Sequence, residues 1–333
     1  MRMHITRING QARESTAQTA QHMVADIAHD LGFAEMGIYS YDESGESADS
    51  LRSRFDGIIA GMNRGDVVIF QSPSWHTIRY DKVLIDHIKL YGGRVIVFVQ
   101  DFKSLMFVEN RYLLDEMVEL LNEAEVLIAP SVQMIQYLQT HGIRENMKFV
   151  IQEIWDYTTQ IPFREEPKFQ KIIHFAGTPE KFRFSNEWNY SVPLKVYARE
   201  NCLGSNTYSQ GWMTSTQLLL ELSKGGFGLV WYGDENWQQY MRYNCTFKLS
   251  TYLASGIPVI VPRGISNQEL IEKNHLGFVV DSIEEAVEKV EHMTEQEYAQ
   301  YTHSVKEFAY LLRNGYFTKK VLIEAVHTLF RQA

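Results

Sequence analysis

The sequence predicts an α/β protein made of two doubly wound, Rossmann-like domains. Three observations carry that expectation. Short runs that are apolar on both faces alternate with amphipathic stretches, as parallel strands covered by helices require. The alternation occurs twice, on either side of residues 155–169, a segment with two prolines, mixed charge and no helical or strand period. Finally, 333 residues exceed one typical domain, so two domains of about 150 residues are expected. The divisions read from this are 1–155 and 156–314.

Composition narrows the function classes. Hydrophobic residues make up 45% and aromatics 13%, enough for two cores. A net charge of -9 with a sequence pI near 5.7 disfavours bulk binding to nucleic acid or an anionic membrane, while leaving room for a local basic cleft. Cys202 and Cys245 lack CxxC spacing, so neither a disulfide framework nor a structural zinc site is expected. The first residues have no apolar export core and no run reaches the length of a membrane span. The expectation is a cytoplasmic protein without a membrane span.

In the first half the candidate strands are 3–8, 36–41, 67–71, 95–99 and 126–129, separated by amphipathic stretches at about 15–31, 50–60, 80–91, 111–124 and 132–141. The first turn lacks a full G-x-G-x-x-G, which argues against a dinucleotide fingerprint. Ser15 or Thr16 is the expected cap of the helix that follows, with a second role in binding or none. Asp101 directly follows a buried strand. It is the candidate group to orient or deprotonate an acceptor hydroxyl, the competing role being a turn cap.

In the second half the strands are 172–176, 194–198, 228–232, 259–261 and 278–280, with helices at about 214–224, 237–254, 267–274 and 283–292. Residues 295–333 read as two helices broken near Arg313-Asn-Gly-Tyr316. Two similar α/β domains joined by a linker suggest a clefted transferase or synthetase.

One stretch organises the functional reading: Asn244-Cys-Thr-Phe-Lys-Leu-Ser-Thr-Tyr-Leu-Ala-Ser-Gly-Ile-Pro-Val-Ile-Val-Pro262. A polar lead-in (Asn244, Thr246) and Lys248 precede a helical run in which Leu249, Tyr252 and Leu253 recur at i, i+3 and i+4. Gly256 then suits a left-handed helix end, and Pro258 forbids continuation into the buried strand 259–261. Free backbone N–H groups and the positive end of the dipole at such a helix start, beside Lys248 and the hydroxyls of Thr246, Ser250 and Thr251, form an anion site suited to phosphate. The competing reading is an ordinary core helix that carries a lysine.

Three other stretches belong with it. Gly177-Thr-Pro follows a strand, with Lys181 close behind as a second positive charge or as a solvated lysine. Gln210-Gly-Trp-Met-Thr214 carries an aromatic face, that of Trp212, suited to stacking on a base or to packing. Glu269 stands three residues after Ser266 in capping-box register. The histidines are scattered and no DxD-type carboxylate pair precedes a strand, so no metal or other cofactor is expected, and fixed protein charge would neutralise a bound anion.

The string Phe247-Lys-Leu-Ser-Thr-Tyr-Leu-Ala-Ser-Gly-Ile-Pro-Val-Ile260 resembles the donor-phosphate segment of GT-B glycosyltransferases. That resemblance implies a GT-B fold whose final helix, about 315–333, crosses back to the first domain. It also implies a diphosphate held by the lysine and the helix start, and a carboxylate at Glu269 for the donor ribose or sugar. Many such enzymes carry His-Asp where this chain has Gln100-Asp101. Met1-Arg-Met-His-Ile-Thr-Arg-Ile-Asn-Gly-Gln11 with Ser15-Thr-Ala-Gln18, Gly65-Asp-Val-Val-Ile-Phe-Gln71, Gly225-Gly-Phe-Gly-Leu-Val-Trp231 and Asn267-Gln-Glu-Leu-Ile-Glu272 resemble, more closely, the bacterial glucosyltransferase 3 family. Its members add glucose from UDP-glucose to N-acetylglucosamine (GlcNAc) already O-linked on serine-rich-repeat adhesins. The resemblance implies UDP contacts at Thr16, Lys181, Trp212 and Met213, and along Thr246, Phe247, Lys248, Leu249, Ser250 and Thr251, in a homo-oligomeric enzyme such as a tetramer. Lys181 and Met213 stand where arginine is expected. The rival reading is a non-catalytic nucleotide-sugar-binding subunit that assists a partner glycosyltransferase.

Overall fold

The computed structural model describes residues 1–331; the last two residues of the helix expected over 315–333 lie outside the described residues. The chain divides into two units, Met1–Glu153 with the segment from Phe317 onward, and Ile154–Tyr316.

Unit 1 runs β1 (Met3–Asn9), α1 (Thr16–Asp30), β2 (Ala34–Tyr39), α2 (Ala48–Ile59), β3 (Val67–Ser72), α3 (Ile78–Leu90), β4 (Arg94–Val99), α4 (Lys103–Met106), a 3₁₀ turn (Val108–Leu113), α5 (Leu114–Asn122), β5 (Val126–Ala129), α6 (Val132–Thr140) and β6 (Lys148–Ile151). Its strands form one parallel sheet in the order β2-β1-β3-β4-β5-β6. β3 and β5 are buried at every position, which is why both read as continuous apolar runs. Ser15 caps α1 by accepting from the Gln18 amide at 3.1 Å.

Unit 2 runs β7 (Lys168–Phe175), a 3₁₀ turn (Arg183–Ser185), β8 (Leu194–Val196), β9 (Thr207–Ser209), α7 (Ser215–Leu222), β10 (Gly225–Leu229), α8 (Glu235–Met241), α9 (Phe247–Ser255), β11 (Val259–Pro262), α10 (Gln268–Lys273), β12 (Gly277–Val280), α11 (Ile283–His292) and α12 (Glu295–Arg313). The strand order is β12-β11-β10-β7-β8-β9, again all parallel. The last helix, α13 (Tyr316–Phe330), lies almost wholly in unit 1. There Lys148 Nζ donates to its Thr328 carbonyl at 3.2 Å, and Lys320 pairs with Glu153.

Three local expectations change. The helix expected over 237–254 is two helices, α8 and α9, because Thr246 takes an extended conformation (ψ 132°) and Asn244 turns its amide onto the Tyr240 hydroxyl at 2.6 Å. The Ser266–Glu269 capping box does not form. Asn267 holds the cap position of α10, and the Ser266 hydroxyl donates instead to the Asn244 carbonyl at 2.9 Å. The strand β7 begins inside the segment read as a linker, and the short strands β6 and β9 had no clear period to reveal them.

The unit 2 core holds one titratable group on β7. His174 Nε2 donates to the Gly225 carbonyl at 2.8 Å, and Nδ1 accepts from the Tyr197 hydroxyl at 2.7 Å, which fixes a neutral tautomer. Desolvation pushes His174 down to about 4. A histidine depressed in the fold gives stability that is complete above its unfolded pKa, about 6.5, and is lost as pH falls through the folded one. Acidification from pH 7 to pH 4 is therefore expected to remove about 3 kcal/mol from this group alone. Urea unfolding at the two pH values measures it, with His174→Asn flattening the dependence; an unflattened dependence in that variant would refute the assignment.

Candidate functional site

In a doubly wound sheet, ligands gather beyond the carboxyl ends of the strands where the strand order reverses. In unit 2 that point lies between β7 and β10, since β8 and β9 extend to one side of β7 while β10, β11 and β12 extend to the other. The turn after β7 carries Lys181, and the segments after β10 are α8 and α9.

The two ends of α9 are treated differently. At its carboxyl end Gly256 adopts φ 92° as the left-handed cap, and the Arg313 guanidinium donates to the Ala254 carbonyl at 2.8 Å. At its amino end Thr246 is the cap residue but makes no side-chain capping bond. The first amides of a helix have no intrahelical acceptor, so Phe247 and Lys248 present N–H groups there with the positive end of the dipole. The helix is seated on the sheet by Tyr252, which is fully buried and whose hydroxyl accepts from the Ala176 amide at 2.8 Å, just past β7.

Cations surround that open end. Lys248 Nζ stands 4.6 Å from the ring centre of Phe182 and 5.9 Å from that of Phe175. Lys181 Nζ lies 5.5 Å from the centre of the same Phe182 ring and 3.3 Å from that of Trp237. No carboxylate pairs with Lys248 among the described residues. Desolvation, with the neighbouring charge of Lys181, pushes it down to about 8. Two like charges gathered on an aromatic floor at a helix amino end call for an anion.

Other residues of the α9 segment are tied into unit 2. Leu249 is buried in the core. The Ser250 hydroxyl donates to the Trp155 carbonyl at 2.6 Å, and that of Thr251 to the Phe247 carbonyl at 3.1 Å. Trp212 and Met213 lie in the loop between β9 and α7, Trp212 exposed and Met213 half-buried. Glu269 is exposed in the first turn of α10 and ion-paired to Lys273 at 2.5 Å. Lys181 and the start of α9 are thus brought together, whereas Glu269 belongs to a surface pair.

In unit 1 the strand order reverses between β1 and β3. Thr16 is the exposed first residue of α1, after β1. Asp101 follows β4, half-buried, its amide donating to the Ser72 carbonyl at 3.4 Å. Beside it is a polar cluster that sequence reasoning missed. Ser74 donates to Asp81 Oδ1, Ser74 Oγ and His76 Nδ1 are 3.0 Å apart, and Lys103 Nζ donates to the His76 carbonyl at 2.7 Å. Burial pushes Asp81 up to about 6 against the pull of the Ser74 hydrogen bonds. In unit 2 the missed neighbours are Phe182 and Trp237. An aromatic residue just after the Gly233-Asp-Glu235 turn was the available signal for Trp237.

Among the described residues no helix is long and apolar enough to cross a membrane. The chain is 45% identical over 327 residues to Glucosyltransferase 3 of Streptococcus parasanguinis, covering 98% of each chain. It is 42% identical over 331 residues to Glucosyltransferase 3 of Streptococcus gordonii, again 98% of each. Its fold matches the crystal structure of Anabaena Alr3699/HepE in complex with UDP and glucose, with a TM-score of 0.66, 11% identity, and coverage of 98% of this chain and 100% of that one. The two sheets with their flanking helices are those of a GT-B glycosyltransferase. Residues 2–154 match the N-terminal domain and residues 173–325 the C-terminal domain of the family described as Glucosyltransferase 3-like, and the chain belongs to that family.

Proposed function

We propose that this GT-B enzyme transfers glucose from UDP-glucose to GlcNAc already O-linked on serine-rich-repeat adhesins, in the cytoplasm and as a homo-oligomer. The observation that carries the donor half is the pairing of Lys181 and Lys248 at the uncapped amino end of α9. In this reading the α9 amides and the two ammonium groups hold the diphosphate, and charge that builds on it as the glycosidic bond breaks falls among donors already in place. The acceptor half rests on the family resemblance. By resemblance, Thr16 and the Trp212–Met213 loop are assigned to the nucleotide, and Glu269 reaches the ribose or sugar only if it leaves Lys273. Asp101 is assigned to take the proton of the attacking hydroxyl.

Two fixed cations at the leaving group make a divalent ion dispensable in this reading. EDTA is accordingly expected to leave transfer within about twofold of the untreated rate, an effect on the barrier of under about 0.5 kcal/mol. Loss of activity on chelation, restored by Mn2+, would overturn that part of the proposal. Incubation with UDP-glucose and a GlcNAc-bearing peptide, followed by the product's mass, tests the reaction: a gain of one hexose supports it. UDP-glucose binding without any product favours a nucleotide-sugar-binding subunit that assists a partner enzyme.

A further inference from the structure

Two ammonium groups over one phenylalanine ring repel each other, and a lysine on a flexible stem would ordinarily swing into water to escape. Lys181 does not. Its Nζ lies 3.3 Å from the centre of the Trp237 ring. Indole is the aromatic side chain that attracts a cation most strongly, through its negative face.

The local structure is built to bring that ring there. Gly233 lets the strand leaving β10 pass close to the turn after β7, because a Cβ at this position would stand 2.3 Å from the Lys181 carbonyl oxygen. Asp234 then caps α8 by accepting from the Trp237 amide at 2.8 Å, which fixes Trp237 in the first turn. The ring is braced edge-on against Tyr240, centroids 5.5 Å apart, and the Tyr240 hydroxyl accepts from Asn244. Asn244 lies in the break that separates α8 from α9. One short stretch, 233–246, therefore shapes both the aromatic face behind Lys181 and the amino end of α9.

We propose that Trp237 is a positioning residue for the donor diphosphate, its indole face holding the Lys181 ammonium in place beside Lys248 so that both cations meet the anion together. The inference rests on the donor site proposed above. Trp237 itself need not touch the nucleotide, because its effect passes through Lys181. Preorganisation of this kind spares the cost of gathering two like charges when the ligand arrives.

The test is calorimetric titration of UDP into the full chain. Trp237→Leu is expected to weaken UDP binding about five- to tenfold, whereas Trp237→Phe, which keeps an aromatic face, is expected to stay within about twofold of the parent. In a Lys181→Met background, Trp237→Leu should produce no further loss, since there is no ammonium left to hold. An equal loss in both backgrounds, or a Phe variant as weak as the Leu variant, would show that Trp237 only packs α8, and would overturn the inference. A parallel Lys248→Ala variant separates this from failure of the donor site itself. If Lys248→Ala leaves UDP affinity unchanged, the site is misplaced; if it weakens binding while Trp237→Leu does not, only the role of Trp237 falls.

Discussion

Replacing Lys248 by alanine is expected to weaken UDP binding by roughly ten- to a hundredfold, the worth of a charge-assisted contact of about 1.5–3 kcal/mol. The melting temperature without ligand should scarcely move. Lys248 has no carboxylate to abandon among the described residues, and its ammonium is destabilised by desolvation and by Lys181, so its removal relieves the fold rather than breaking it. The same depression predicts a pH signature. With its pKa at about 8 in the free protein, Lys248 loses its proton as pH rises above that value, and the nucleotide must then bring a proton back to bind. UDP affinity should fall towards pH 9 in the parent, and this Lys248-dependent alkaline limb should be absent from the alanine variant. Titrations at pH 7 and pH 9 on both proteins read all of this. Affinity of the variant within about twofold of the parent at pH 7 removes Lys248 from the site, and with it the donor half of the proposal.

What the sequence disclosed here was local. The apolar runs of β3, β4 and β5 are buried on both faces, and such strands carry their burial in their own composition. The left-handed Gly256 and the strand after Pro258 followed from backbone sterics that need no neighbours. What escaped depends on residues far apart in the chain. The hydroxyl of Ser250 looks like a phosphate ligand in sequence, and only the fold shows it donating to a carbonyl 95 residues away. The contact of Lys181 with Trp237 brings together the turns after β7 and β10, which adjoin because the strand order reverses there. Asn244 and Thr246, read as polar groups near an anion, also stand in the break between one helix and the next. The capping register of Ser266 and Glu269 matched a rule that the loop overrode, because the Ser266 hydroxyl found the Asn244 carbonyl first.

The second large effect is expected at Gly228, where nothing chemical happens. Gly228 lies in β10, directly beneath α9, and a Cβ added there would stand 2.2–2.6 Å from Tyr252, inside any real carbon–carbon contact. Tyr252 has nowhere to retreat. It is fully buried, and its hydroxyl is tied to the Ala176 amide. Gly228→Ala must therefore lift α9 from the sheet or break that hydrogen bond, at a cost of about 3 kcal/mol, the upper part of the range for overpacked cores. In a unit of this size the melting midpoint should fall by roughly 6–12 °C. Because the α9 amino end carries Lys248, UDP affinity should fall in the same variant while it is still folded, which a surface change of equal stability cost would not cause. The strain also has a specific partner. In a Tyr252→Ala background the space above Gly228 is open, so adding the methyl there should cost less than about 1 kcal/mol more. A Gly228→Ala protein that melts within 2 °C of the parent, by the scaling of roughly 2–4 °C per kcal/mol, would mean that α9 is not clamped to β10 through this contact. The placement of the anion-binding end of α9 would then need another support.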